Sequence, residues 1–247
     1  MSPLVLSLIA FVVILGAGLA GASLPGHQLP EDTRDVVRLG AGLIGTIAGL
    51  VLGLLIGSAN SSYEAQNNQV QQMTADVILL DNLLGQYGDQ THQARALLRG
   101  AIQPFVERVW ATRNAEPVGP FRASAEGEAF YFELERLVPQ DETQRSIKTR
   151  ALGVYTDLAQ TRVLLQQRAL SSIPMPFLVV LVVWLAIIFF SFGLFARHHF
   201  SVLIALFVFA LSASGALFLI LELTHPFTGL MRIPSEPVLN ALPPLSD

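Results

Sequence analysis

Apolar residues fall in four long blocks along this chain, with polar sequence between and after them. The blocks run from Leu4 to Leu24, Val36 to Ser58, Phe177 to Ala196 and Ser201 to Leu223. Each is nearly free of charge and reaches the roughly 20 residues that carry a helix across a bilayer. The pattern predicts four transmembrane helices. In the second block Gly45, Gly49, Gly53 and Gly57 recur every four residues, which places them on one slowly drifting face. Lipid is as apolar as another helix, so membrane helices associate through close backbone contact, which small residues permit. This face is expected to pack tightly, within the chain or against a second copy.

The polar sequence reads as helix too. Pro25, Gly26 and Pro30 break the chain after the first block, and no proline follows until Pro104. A helix can therefore run without interruption from the second block into water. Val70, Met73, Val77, Leu80, Leu84 and Tyr87 alternate spacings of three and four, the pattern of a packed helical seam. Gly85 and Gly88 end it, and Asp89 or Thr91 is placed to cap the next helix. That helix presents Ala94, Leu97, Ala101, Phe105 and Val109, with a kink expected at Pro104. Residues 114–120 form a loop. Phe130, Leu134 and Leu137 mark a short helix ending before Pro139. Asp141 caps a further helix to about Ser172, with Ile147, Ala151, Val154, Leu158 and Leu165 on its seam. Pro174 and Pro176 precede the third block, Arg197-His198-His199 turns between the last two, and a proline-rich tail follows.

The fold class is thus an all-α membrane protein: four transmembrane helices with a helical cytosolic domain inserted between the second and third. The boundaries are 1–58 for helices 1 and 2, 59–172 for the cytosolic domain, 173–223 for helices 3 and 4, and 224–247 for an extended tail lying on that domain. Composition agrees, with 52% hydrophobic and 14% charged residues, against roughly 25% charged in a soluble domain. Ala20-Gly21-Ala22 resembles a signal-peptidase site, but the segment before the apolar run carries no Lys or Arg and the run continues to Leu24. A retained helix is therefore expected. Four crossings put both termini and the large domain on one side. Arg145, Lys148, Arg150, Arg162 and Arg168 outnumber nearby acids and point that side to the cytoplasm.

The absence of cysteine removes disulfides and thiolate chemistry. A net charge of -4 offers no basic field for nucleic acid. The five histidines (His27, His92, His198, His199 and His225) are scattered, and Glu133 and Glu135 face different ways on a helix. No enzyme constellation, metal or cofactor is expected. Glu222, at the end of the fourth crossing, is a functional candidate as an ionisable group near the bilayer, or else sits at the headgroup level bonded to Arg232 or to a helix end. Arg38 snorkels to the interface or, around a pore, forms a positive ring favouring anions. If the second crossing lines a pore, helical phase would make Ile47 and Leu54 apolar rings, with Ser58, Asn60 and Ser61 a polar vestibule.

Two stretches, RLGAGLIGTIAGLVLGLLIGSANSSYEAQNNQVQQMTADVILLDNLLGQYG (38–88) and ELTHPFTGLMRIPSEPVLNAL (222–242), resemble the bacterial bestrophin-like membrane family. The resemblance implies a distant likeness to bestrophins, which are pentameric channels. In these the second crossing lines the pore and continues into a cytosolic helical domain wrapped by the C-terminal tail. The chain departs from them in lacking an Ile-Pro-Phe neck and an evident acidic calcium clasp, so selectivity and calcium gating are not implied. Two functions follow. One is a homo-oligomeric channel of the bacterial inner membrane, with lipid, copies of itself and a permeant ion as partners. The other is a non-conducting scaffold or sensor whose helical domain binds a partner.

Overall fold

The computed structural model describes residues 2–24, 30–110, 125–169, 175–195 and 200–242. Among these the chain is helical and carries no strand. Eight α-helices follow in order: α1 (Pro3–Ser23), α2 (Glu31–Tyr87), α3 (His92–Trp110), α4 (Ala125–Arg136), α5 (Glu142–Ala169), α6 (Met175–Phe195), α7 (Phe200–Leu223) and α8 (Glu236–Leu239). The turn at Arg197-His198-His199, the loop at 114–120, Pro174 and His27 lie outside the described residues. The residues divide into two compact units: Met1–Tyr63 with Ser172–Thr224, and Glu64–Ser171 with His225–Asp247.

The first unit contains the four apolar helices, each long and apolar enough to cross a membrane. Ser2 caps α1 by accepting from the Val5 N–H, and Pro3 opens the helix where an N–H would be unpaired anyway. α1 packs chiefly on α6 and then on α7. The α1–α6 contact is backbone against backbone: a Cβ at Gly21 would overlap the Phe190 carbonyl oxygen, and one at Gly193 would overlap that of Gly18. Such closeness is available only to glycine, and it gives the dispersion contact that membrane helices need. Ile14, Leu181, Leu206, Ala210 and Leu217 fill the core, and the buried Ser214 hydroxyl donates to the Ser7 carbonyl at 2.7 Å. Ser191 and Thr46 return their hydroxyls to carbonyls four residues earlier, so neither leaves a bare donor in lipid.

α2 spans 57 residues, about 85 Å at 1.5 Å per residue. It ends where Gly88 turns to φ +114°, a conformation that favours glycine. Thr91 has the opposite role from the one expected. Its hydroxyl donates to the carbonyls of Leu84 (2.6 Å) and Gly88 (2.8 Å), closing α2 rather than capping α3. The last turn of α2 needed acceptor groups satisfied, and Thr91 is the nearest donor.

In the second unit every residue of the expected α2 seam is buried, from Val70 to Tyr87. Leu80, Leu84 and Tyr87 share a core with Ala94 and Leu98 of α3, Phe130 and Leu134 of α4, and Ala151 of α5. The expected Ala94 is buried in α3, but beyond it the buried residues are Leu98, Ile102 and Val106, one residue along from the expected Leu97, Ala101 and Phe105, and the helix continues through Pro104. Asp141 caps α5 by accepting from the Gln144 N–H at 2.7 Å, while the Gln144 amide donates to the Tyr87 carbonyl. Lys148 donates to the carbonyls of Glu135 and Leu137, satisfying the end of α4. The segment after α7 lies on α3: the Trp110 indole donates to the Ile233 carbonyl at 2.8 Å and meets Phe227 edge-on at 5.1 Å. It contains the single turn α8, so it is not extended throughout.

The polar centre of this unit is Asp81, which is buried. Arg95 binds it at 2.9 and 3.0 Å, and Arg99 at 2.8 and 3.1 Å. Paired bonds of this kind fix both guanidinium planes, tying α3 to α2.

Candidate functional site

The apolar stretch of α2 is the least covered of the four crossings. Of its most apolar window 11% is buried, against 28% in each of α1, α6 and α7. The helix turns Ala41, Ala48 and Ala59 inward, with Ile44, Leu52 and Leu55 partly buried beside them. Most of the rest of its circumference between Gly42 and Ser58 is exposed.

The glycine line falls largely on that open side. A Cβ at Gly49, Gly53 or Gly57 would meet nothing within 4 Å, and one at Gly45 would reach only Ile188 at 3.9 Å. Within the chain, then, these glycines do not make the tight contact expected of them. That contact belongs to Gly21 and Gly193.

The remaining expected residues are brought together in part. Ile47, Leu54 and Ser61 recur at intervals of seven and share a stripe with Ser58, and all four are exposed. Asn60 lies seven residues after Gly53, and Arg38 seven before Gly45, so both belong to the glycine side. Arg38 places its guanidinium 5.4 Å from the ring centre of Phe195, a cation–π contact with the end of α6. Glu222 is buried at the end of α7. Among the described residues, no three His, Asp or Glu side chains converge as a metal site.

One stripe was missed. Leu39, Leu43, Leu50 and Leu54 are 75%, 65%, 66% and 73% exposed. Their spacing of four, seven and four was present in the sequence, hidden among equally apolar neighbours. A row of bare leucines beside a row of bare glycines leaves a surface for lipid or for another helix.

Four helices long and apolar enough to cross a membrane, one of which runs on into a second helical unit, define the class of all-helical membrane proteins. Residues 8–238 match the family model of the Bestrophin-like domain, and the chain belongs to that family. Its fold is similar to that of a bacterial bestrophin homologue from Klebsiella pneumoniae, crystallised as a point mutant. The TM-score is 0.71 at 14% identity, over 95% of this chain and 93% of that one. No curated protein matches the sequence.

Proposed function

We propose that the chain is one subunit of a homo-oligomeric ion channel of the bestrophin type, a pentamer in which α2 surrounds the pore. The observation that carries this reading is the bare circumference of α2. Its glycines and leucines are too regular to be incidental, and the chain itself leaves them uncovered. In a ring, each α2 would set its glycine line against the neighbouring subunit, where backbone approach stabilises assembly. The arc of Ile47, Leu54, Ser58 and Ser61 would then turn toward the axis. Family membership and the shared fold support the same arrangement. In this reading the protein sits in the bacterial inner membrane, and the unit built on residues 59–172 faces the cytoplasm with both termini.

The test is particle symmetry in detergent together with ion flux after reconstitution into liposomes. A five-fold ring with flux supports the channel. A monomer or a two-fold dimer without flux supports a scaffold whose helical unit binds a partner.

A further inference from the structure

In the second unit, α4 and α5 together form an open recess of about 450 Å³, lined by Glu128, Tyr131, Phe132 and Tyr155. Three of the four lining side chains are aromatic. Tyr131 and Tyr155 lie 5.4 Å apart between ring centres, and Tyr131 and Phe132 lie 6.0 Å apart. Phe132 is 61% exposed, although burying it would stabilise a helical unit. It contributes little to the core, which Phe130 and Leu134 fill from the other side of α4.

The two tyrosines are held in place by their hydroxyls. Tyr155 donates to the Gly127 carbonyl at 3.2 Å, and Tyr131 donates to Glu135 at 3.1 Å. The fourth lining group is a carboxylate. Glu128 makes no ion pair with a described residue, whereas Glu133 is paired with Arg136 and Glu135 lies 3.9 Å from Lys148. Arg162 acts on Tyr155 through its charge and lies 5.7 Å from the Phe105 ring centre. Aromatic faces carry negative potential, so rings joined by a carboxylate attract a cation. A strongly hydrated ammonium or metal ion would lose too much water on entering. A quaternary ammonium is large, weakly hydrated and matched to ring faces.

We propose that this recess binds a small quaternary ammonium cation. The inference does not depend on conduction, since it concerns residues of the second unit alone. The test is calorimetric titration of the purified full-length protein with choline. Its uncharged carbon isostere, 3,3-dimethylbutan-1-ol, serves as the control for shape. Saturable choline binding is expected, with the isostere about tenfold weaker or absent. Phe132→Ala, at an exposed position, and Glu128→Gln, at a solvent-facing one, should each weaken choline about tenfold while leaving the melting temperature unchanged. No saturable binding of choline would overturn the proposal. So would equal binding of the isostere, or choline affinity unchanged in both variants.

Discussion

At the scale of single residues, α2 carries two buried aspartates five positions apart that respond to their surroundings in opposite senses. Burial disfavours the charge of Asp81, but hydrogen bonds from Arg95 and Arg99 more than reverse this and hold its carboxyl below the ordinary 3.8. Asp76 is pushed above 3.8 by burial. A hydrogen bond from Gln72 opposes that shift and the charge of Asp157 adds to it, and its second oxygen has no partner. A lowered folded value means that Asp81 contributes stability fully above pH 3.8 and loses it as pH falls through the folded value. For Asp76 the sign is reversed: its charge is a cost at neutral pH that disappears on acidification. Asp81→Asn should therefore cost about 3 kcal/mol at pH 7, because it leaves two guanidiniums over one neutral amide. The gap from wild type should narrow below about pH 4. Asp76→Asn should be neutral or raise stability by up to about 1 kcal/mol at pH 7, with the benefit fading on acidification. Thermal melts at pH 7 and pH 3.5 separate the two. Equal losses in both variants at both values would contradict the assignment.

At the scale of helices, much was legible in the sequence. The four apolar blocks, the seam from Val70 to Tyr87 and the Asp141 cap rest on local spacing, and the structure has them where spacing put them. What local spacing did not decide depended on partners. In α3 the pairs Leu97–Leu98, Ala101–Ile102 and Phe105–Val106 are apolar in both registers, so periodicity alone fits either face. Contact with α4 and with the segment after α7 decides it. Among glycines, the regular line in α2 drew the packing expectation. The interlocked ones are Gly18, Gly21 and Gly193, whose spacing says nothing until α1 meets α6. The bare face of α2 was read in part for the same reason: spacing singled out Ile47, Leu54, Ser58 and Ser61, but not Leu39, Leu43 and Leu50. The two glycine sets give a paired prediction. Gly21→Ala or Gly193→Ala should lower stability by about 1–3 kcal/mol or more, since a Cβ would strike backbone that cannot rotate away. Gly53→Leu should leave the fold of the single chain intact and instead reduce oligomer size. Melting temperature and size-exclusion light scattering read the two effects. An intact oligomer in Gly53→Leu would show that the glycine line faces lipid.

At the scale of the whole molecule, the proposed ring makes the open arc of α2 the determinant of conduction. Ile47 and Leu54 stand two turns apart on one stripe, with Ser58 and Ser61 beyond them. Five copies would give two apolar rings above a polar vestibule. A narrow apolar ring expels water and blocks ions without a plug or a moving lid. A serine in its place offers a hydroxyl to water, so Ile47→Ser or Leu54→Ser should raise flux through reconstituted protein. Leu52→Ser is the contrasting case. Its side chain is partly buried against the other apolar helices, so it should reduce stability without raising flux. Arg38 rests on Phe195 and lies on the glycine side, so in the ring its positive charge would sit beside the subunit contact at one mouth of the passage. Arg38→Glu should then shift permeability toward cations. Liposome flux under opposed ion gradients measures both properties on one preparation. Normal assembly with no flux in wild type and in both stripe variants would refute the pore assignment and leave the scaffold reading.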